Sequence, residues 1–382
     1  MGDATLYTVL PTHTADAGIA LVQVGIILSA NRIVRLFLNG PIGMAYDRSL
    51  RRRLFVPALF VGALSTALYA ATAGFWPLLV GRLLWGLAWS GIWVGGTTII
   101  LDVTTDPDRG RWTGFYQIWF FLGAAFGALA GGFMTDYFGY RTAMWIGALV
   151  TGIGGLNALL MLPETRGFRP EIVSESVTNP DLDWYRNAGL WVVAVLQGIN
   201  RFVFAGVLAA TMALLVQDQM STIISPGFGV ATLTGVLMAG RTAMSVVAAP
   251  ISGALSDRMG SRWGVTIGGL VIGAISMLLL GYTTPWSILV GVLLGAVAGG
   301  SIQALVTALT GDLVEKRQRG RAIGLLHTAG DFGSAAGPLI AYALLMRVGL
   351  SGIYLLCVVL FVAGAVLSGW FSWRMRRLKL NI

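Results

Sequence analysis

Long apolar stretches alternate with short polar segments along the whole chain. Eleven stretches are long enough to cross a bilayer as a helix of about 20 residues. Their predicted bounds are 19 to 46, 54 to 73, 76 to 101, 113 to 134, 142 to 162, 190 to 215, 228 to 254, 264 to 283, 286 to 310, 322 to 346 and 350 to 373. One long polar segment, 163 to 187, predicts a linker between two halves at 1 to 162 and 188 to 382. The pattern predicts an all-α membrane protein.

Composition supports this interpretation. Of the 382 residues, 56% are hydrophobic and only 11% are charged, whereas a soluble domain carries about 25% charged residues. The sequence has a single cysteine, Cys357, and its two histidines, His13 and His327, lack the spacing of a zinc site. We therefore expect no metal and no cofactor. The sequence also has no P-loop and no nucleophile constellation, which argues against an ATP-driven pump and against an enzyme.

The net charge of +9 is explained by membrane topology. Nineteen of the 26 basic residues lie in the loops on the linker side or in the C-terminal tail, whereas only Arg141 and Arg347 lie in the opposite loops. This asymmetry follows the positive-inside rule, so no nucleic-acid partner is needed to explain the charge. It predicts a multi-pass protein of the bacterial inner membrane with the linker and the C-terminus in the cytoplasm.

An internal repeat relates the two halves at a constant offset of 210 residues. The segment from Gly43 to Arg52 recurs from Gly253 to Arg262, and Asp102 recurs as Asp312. A constant offset over about a hundred residues indicates a tandem duplication, with six helices in each half.

The offset also predicts that most of the first helix is missing. The first helix of the second half, 190 to 215, has its counterpart before the start of the chain. An apolar run at 4 to 11 resembles the end of that helix. This favours a chain that starts at an internal methionine over a first half that has lost a span.

The repeated loop resembles the signature of the major facilitator superfamily. Its glycine, aspartate and arginines occur in both halves, as Gly43, Asp47, Arg48 and Arg52, and as Gly253, Asp257, Arg258 and Arg262. The resemblance implies a fold of two pseudo-symmetric six-helix bundles, and it implies that these residues latch the halves together on the cytoplasmic side. In the same interpretation, Gly43 and Gly253 let two helices approach closely.

Three further motifs are similar to those of the family. Gly81-Arg82-x3-Gly86 is similar to its fourth-helix motif, and Pro163-Glu164-Thr165-Arg166 resembles the end of its sixth helix. A glycine series resembles the fifth-helix motif of drug:proton antiporters, with Ala128 where that motif usually has proline. Its members are Gly114, Gly123, Gly127, Gly131 and Gly132.

Charges inside the spans cost several kcal/mol each and therefore indicate functional or structural pairing. They are Arg32, Arg35, Arg82, Arg201, Arg241 and Asp331. By the resemblance, the fourth, seventh and tenth helices line a central cavity, which makes Arg82 and Arg201 candidates for contact with cargo. Gln197, Asn200 and Gln303 are polar candidates on the same helices. The alternative for all of them is structural pairing between helices.

Asp331 is the only carboxylate in the interior of a predicted span, and His327 lies one turn before it. Residues at i and i+4 share a helix face, so this pair is a candidate for proton coupling. The alternative is a fixed pair between Asp331 and an arginine. Arg32, Arg35 and Arg241 lie on helices that flank the interface between the halves and are candidates for pairing across it.

These observations predict a secondary transporter that exports small apolar or amphiphilic compounds in exchange for protons. Its expected partners are a small-molecule substrate, protons and the lipid bilayer, and it is expected to be monomeric. Two alternatives remain open: a proton symporter for an organic anion, and a non-transporting sensor on the same fold.

Overall fold

The structure, a computed structural model, describes residues 2–167, 186–220, 229–282, 284–315 and 318–380. The regular elements of these residues are all helical, which confirms the predicted all-α class. They are α1 (Gly2–Val9), α2 (Thr14–Ala17), α3 (Leu21–Arg48), α4 (Arg51–Ala71), α5 (Phe75–Val103), α6 (Asp106–Phe138), α7 (Tyr140–Met161), α8 (Ala188–Asn200), a π-helical segment (Arg201–Leu208), α9 (Ala209–Met220), α10 (Val230–Met259), α11 (Arg262–Gly281), α12 (Pro285–Leu313) and α13 (Arg319–Leu380).

Ten helices among the described residues are long and apolar enough to cross a membrane. Eleven spans were predicted, and the difference lies at the C-terminal end. The tenth and eleventh predicted spans both fall within α13, which is interrupted at Gly349, where φ is 65°. Glycine adopts this left-handed conformation without a steric penalty, so the chain changes direction there. The α8, π-helical and α9 segments together form the span Ala188–Gln219.

Proline occurs inside four of these helices, as Pro41, Pro57, Pro250 and Pro338. Membrane helices tolerate proline because neighbouring helices and side-chain hydroxyls satisfy the freed backbone groups. The apolar run at 4 to 11 contributes to the short helix α1. Most of the predicted linker, residues 168–185, lies outside the described residues.

The chain divides into two compact units. Unit 1 comprises Met1–Asn179 and Ile224–Ala239, and unit 2 comprises Pro180–Ile223 and Gly240–Ile382. The first ten residues of α10 therefore belong to unit 1, although they follow the linker in sequence.

Close helix contacts shape the interior of each unit. In unit 1, the Thr5 hydroxyl of α1 donates to the Gly127 carbonyl of α6 across 2.9 Å. In unit 2, a Cβ at Gly337 of α13 would overlap the backbone of Gly206 in the π-helical segment. Small residues at such contacts let the backbones of membrane helices approach each other.

Candidate functional site

An ion pair in unit 1 joins a fully buried arginine to a half-buried aspartate. Arg82 of α5 is fully buried, and its guanidinium contacts the Asp3 carboxylate of α1. Arg82 Nε also donates to the Ile27 carbonyl across 3.1 Å. A charge without solvent is stable only when it is paired and hydrogen-bonded. Asp3 and this backbone carbonyl of α3 meet that requirement.

Aromatic rings surround this pair. Tyr7 lies between two arginines, since the Arg82 and Arg32 guanidinium carbons are 5.4 and 5.0 Å from its ring centroid. The Arg35 guanidinium lies 5.9 Å from the Trp89 ring. These distances are within the range of cation–π attraction. The predicted interface charges Arg32 and Arg35 thus contact aromatic residues of their own unit.

Three stacked tryptophans continue the aromatic surroundings of this ion pair along α5. Trp85, Trp89 and Trp93 follow one another at four-residue intervals, with ring centroids 6.3 and 6.0 Å apart. Phe120 of α6 packs against both Trp89 and Trp93 at 5.4 Å. Residues at i and i+4 share a helix face, so the interval itself aligns the rings. We call Asp3, Tyr7, Arg32, Arg35, Arg82 and the three tryptophans the cation–aromatic cluster.

Two buried polar atoms in or beside the cation–aromatic cluster have no hydrogen-bond partner among the described residues. Asn31 is buried, and its Oδ1 has no hydrogen-bond partner among the described residues. The Trp85 indole Nε1–H likewise lacks an acceptor within that part of the chain. Buried polar groups are normally satisfied. Each of these two atoms can pair with an ordered water or with a polar group of a bound molecule.

Unit 2 carries a cluster of three amides, of which Gln197 and Asn200 are buried and Gln303 is half-buried. Gln197 of α8 donates from Nε2 to Gln303 Oε1 of α12 across 2.9 Å. Asn200 lies one turn further along α8 and donates to the Gly299 carbonyl at 3.5 Å. The Gln197 Oε1 and Asn200 Oδ1 atoms have no hydrogen-bond partner among the residues that the structure describes. The three predicted site residues Gln197, Asn200 and Gln303 therefore lie together. Two of their amide oxygens have no donor within the described part of the chain.

Of the two predicted membrane arginines of unit 2, Arg201 lies near this amide cluster and Arg241 contacts an aromatic ring. Arg201 begins the π-helical segment, and a Cβ at Gly330 of α13 would lie 3.2 Å from its Cγ and 3.3 Å from Gln197 Nε2. Arg241 of α10 lies over the Phe204 ring at 5.6 Å. π-helical turns occur frequently at functional sites. This one shifts the side chains that follow Asn200 relative to an uninterrupted α-helix.

Asp331 and His327 differ in environment. Both lie on α13, but Asp331 is buried whereas His327 is exposed. The Ser334 hydroxyl donates to the Asp331 backbone carbonyl across 3.0 Å. Their four-residue separation places them on one face. The role of this pair in proton coupling stays a prediction.

The signature loop of unit 1 is built around Arg51, which lies in the signature segment Gly43 to Arg52 but is not one of the predicted gating residues. Arg51 donates from Nε to Asp102 Oδ2 across 2.7 Å, and both side chains are buried. The Thr165 hydroxyl donates to the same oxygen at 3.3 Å. Asp102 therefore connects the ends of α4 and α5 to the segment after α7.

Glu164 caps the first turn of α4. Its carboxylate accepts hydrogen bonds from the backbone N–H groups of Arg51 at 2.9 Å and Arg52 at 3.1 Å. Burial by itself raises the pKa of the Glu164 carboxyl. The backbone donors of Arg166, Arg51, Arg52 and Thr165 outweigh that effect, so the pKa is lowered. The Pro163-Glu164-Thr165-Arg166 motif therefore contacts the end of the signature loop through the Glu164 carboxylate.

Two predicted gating residues of the signature loop, Asp47 and Arg48, are contacted through their backbone carbonyls. Arg166 donates to the carbonyl of Arg48 at 2.8 Å and to that of Asp47 at 3.4 Å. The Arg52 guanidinium contacts the Leu159 carbonyl. The described contacts of this loop therefore join segments of unit 1.

The second copy of the loop forms a related pair in unit 2. Arg262 lies 2.6 Å from Asp312 and 3.5 Å from Asp257. At the 210-residue offset, Asp312 corresponds to Asp102, but Arg262 corresponds to Arg52 rather than Arg51. The arginine partner has therefore shifted by one position between the copies. The Arg262 pair is also more exposed, with 33% and 54% of its side-chain surfaces accessible.

The motif glycines differ in how closely they are packed. A Cβ at Gly43, Gly253, Gly114 or Gly123 would meet no heavy atom of a neighbouring element within 4 Å. The close approach expected at Gly43 and Gly253 therefore does not occur within the described residues. By contrast, a Cβ at Gly131 would overlap Thr5, and one at Gly132 would overlap the Ala231 carbonyl of α10.

Asp136 is a further residue that the sequence interpretation missed. It lies near the end of α6 and caps the first turn of α10 within unit 1. Asp136 Oδ2 accepts hydrogen bonds from the backbone N–H and the hydroxyl of Thr232, both at 2.6 Å. Ala231 donates its N–H to Oδ1 at 3.3 Å. A carboxylate at a helix N-terminus satisfies free backbone donors and complements the helix dipole.

The sequence held weak signals for these missed residues. Asp3 precedes the first predicted span and was therefore not counted among the membrane charges. Arg51 lies in a run of three arginines, among which the sequence does not distinguish. Asp136 resembles an ordinary loop-flanking carboxylate. No group of three or more His, Cys, Asp or Glu suited to a metal occurs within the described ranges.

Comparison with known proteins agrees with this architecture of repeated membrane helices. The sequence model of the Major Facilitator Superfamily matches residues 1–180 and 190–382. The chain therefore belongs to the Major Facilitator Superfamily, a family of membrane transporters, which confirms the resemblance and the non-enzymatic assignment.

Two curated relatives are resistance proteins. Multidrug resistance protein MdtG of Escherichia fergusonii is 24% identical over 359 residues, which cover 92% of this chain and 85% of the relative. Tetracycline resistance protein, class E, of Escherichia coli is 24% identical over 327 residues, which cover 83% and 76%. Among solved structures, a bacterial homologue of the human lysosomal transporter Spinster superposes with a TM-score of 0.82 at 16% identity, covering 96% and 92% of the two chains. That likeness concerns the fold.

Proposed function

We propose that this protein exports small apolar or amphiphilic compounds in exchange for protons, by alternating access of the two halves around a site near the membrane midplane. The relatives named as multidrug and tetracycline resistance proteins favour this direction and this cargo class. The aromatic rings of Trp85, Trp89 and Trp93 supply apolar contacts that such compounds require.

The observation that carries the proposal is the ion pair between Asp3 and Arg82. Arg82 is fully buried, so its charge depends on a nearby anion. Protonation of Asp3 removes that anion and leaves the guanidinium with backbone carbonyls and aromatic faces. While Asp3 is ionised it holds Arg82, and the aromatic faces are left to a compound; once Asp3 is protonated, the guanidinium turns to those faces and displaces the compound. Binding of a proton and binding of cargo are then alternatives, as exchange requires.

We assign the amide cluster of unit 2 to cargo orientation. Gln197, Gln303 and Asn200 present acceptors, and Arg201 and Arg241 supply positive charge. Asp331 is proposed as a second proton-binding group. The basic loops on the linker side support a cytoplasmic C-terminus and insertion into the bacterial inner membrane.

The decisive experiment separates coupling from cargo binding. Purified protein in liposomes is loaded with a fluorescent amphiphilic dye and assayed in two modes, transport driven by a pH gradient and dye exchange without a gradient. We expect Asp3→Asn to lower gradient-driven transport at least tenfold while exchange stays within twofold of wild type. Asp16→Asn removes an exposed carboxylate of α2 and should leave both rates unchanged.

Other outcomes contradict the assignment. Wild-type gradient-driven transport in Asp3→Asn would exclude Asp3 as the coupling group. Loss of exchange together with transport would place Asp3 in cargo binding or in folding, not in coupling.

A second candidate function is symport of an organic anion with a proton. The excess of arginines over carboxylates among the predicted membrane charges favours it. Five are arginines and one, Asp331, is a carboxylate: Arg32, Arg35, Arg82, Arg201 and Arg241 are the arginines. The same liposomes distinguish the two functions, because symport moves the anion in the direction of the proton gradient, whereas exchange moves the dye against it.

A further inference from the structure

Unit 2 contains an apolar groove that no motif explains. The groove has a volume of about 380 Å³ and lies between α10, α11 and α12. Its wall on α10 runs from Met244 through Val247, Ile251 and Leu255 to Met259. These five side chains are all exposed. The groove is therefore open along α10 rather than closed beneath it.

The length of the groove suits a lipid tail. Fifteen residues separate Met244 from Met259, which corresponds to about 22 Å at 1.5 Å per helical residue. One leaflet of the hydrocarbon core is about 15 Å deep. An acyl chain lying along α10 can therefore stay within the groove over the full depth of a leaflet.

The groove exists because α11 lacks side chains where the first copy of the repeat has them. Gly264, Gly268 and Gly269 line it, and a Cβ at Gly268 would meet no heavy atom of another element within 4 Å. At the 210-residue offset, the corresponding residues of α4 are Leu54, Ala58 and Leu59. The two copies of the repeat therefore differ at this wall, which carries less side-chain bulk in unit 2.

A positive charge lies at one end of the groove. Arg258 is exposed and comes three residues after Leu255 and one before Met259, so it continues the same face of α10. The other nearby charges are already paired, since Arg262 lies between Asp257 and Asp312. The Arg258 side chain makes no hydrogen bond or ion pair among the described residues.

We propose that this groove binds one acyl chain of an anionic phospholipid, whose headgroup phosphate contacts Arg258. An apolar trench on membrane-spanning helices is in contact with hydrocarbon, which favours a lipid tail over a water-soluble ligand. The charge at its end favours a headgroup with a net negative charge: a guanidinium forms strong charge-assisted hydrogen bonds with phosphate oxygens, and in a zwitterionic lipid the positive choline offsets part of that attraction.

The test measures lipid retention by the full-length protein. The protein is purified in detergent, incubated with equimolar phosphatidylglycerol and phosphatidylcholine, and bound lipid is counted by native mass spectrometry. We expect the wild type to retain phosphatidylglycerol at least fivefold over phosphatidylcholine. Gly268→Leu fills the groove and should lower retention of both lipids at least fivefold. Arg258→Gln should abolish the preference while tail binding persists.

Two matched controls accompany these variants. Arg48→Gln removes the counterpart of Arg258 in unit 1, and Gly154→Leu adds a side chain at an open position of α7. Both should retain lipid as the wild type does. Equal retention in the wild type and Gly268→Leu would overturn the groove as the site, and an unchanged preference in Arg258→Gln would overturn the headgroup contact. The second result stays informative even if Gly268→Leu fails to fold.

Discussion

Arg51 Nε lies 2.7 Å from Asp102 Oδ2, and less than a tenth of either side chain is accessible. This pair joins the start of α4 to the end of α5 in unit 1. Its counterpart in unit 2, Arg262 with Asp312, is about as short but far more exposed. The repeat therefore contains an Arg–Asp ion pair in both units, buried in unit 1 and exposed in unit 2.

We expect the buried pair to stabilise the protein more than the exposed one. Asp102→Asn leaves a buried guanidinium without its counter-ion, which costs about 3–5 kcal/mol. Asp312→Asn removes a pair that water screens, and exposed pairs contribute about 0–1 kcal/mol. Thermal unfolding of the purified variants in detergent measures the difference. Equal shifts in both variants would contradict this account.

The Glu164 cap predicts a pH-dependent stability. Because its pKa is lowered in the folded protein, the cap stabilises the fold above the usual carboxyl pKa of about 4.5 and loses this effect as pH falls through the lower folded value. Glu164→Gln should therefore lower the unfolding temperature at neutral pH, and the difference from wild type should shrink towards zero in acid. Asp218→Asn, an exposed carboxylate that caps no described helix, serves as the control. A difference that persists unchanged in acid would contradict the prediction.

Asp136 is expected to stabilise the start of α10. Asp136→Ala removes the acceptor for Thr232 and Ala231, and loss of an N-cap costs about 0.5–2 kcal/mol. Asp136→Asn keeps one acceptor oxygen and should lose less. Hydrogen exchange of residues 231–235 measures the effect locally, and faster exchange in Asp136→Ala than in Asp136→Asn is the expected order. Equal protection in the wild type and both variants would exclude a capping role.

Two glycines of unit 2 should respond oppositely to alanine. Gly337→Ala places a methyl group against the Gly206 backbone and must separate α13 from the π-helical segment. Gly253→Ala adds a methyl group in open space, where alanine favours the helix by about 1 kcal/mol. We expect a lower unfolding temperature in the first variant and an equal or higher one in the second. A stable Gly337→Ala variant would show that the two helices are further apart than described.

The proposed orientation is testable with single cysteines. Cys357 is the only cysteine and is buried, so Cys357→Ser provides a background without thiols. In that background, Asp16→Cys should react with a membrane-impermeant maleimide in intact cells, whereas Asp108→Cys should react only in inverted vesicles. Both aspartates are exposed. The reverse pattern would place the linker outside the cell.

The sequence by itself determined the membrane spans, the duplication and the family. The spans can be predicted from sequence because the bilayer acts on each of them separately. Each span must form the hydrogen bonds of its own backbone and present apolar side chains. The 210-residue offset is likewise a property of the sequence alone. Even the break at Gly349 falls between two predicted spans.

Only the tertiary structure decided which charged groups meet. Arg82 pairs with Asp3, 79 residues earlier in the chain, and Arg51 rather than Arg48 or Arg52 reaches Asp102. Asp136 contacts a helix that begins almost a hundred residues later. Such pairs depend on how each helix is rotated and where it ends relative to its neighbours, to within about an ångström. A hydrophobic pattern specifies which residues lie in the membrane, but it does not specify that rotation.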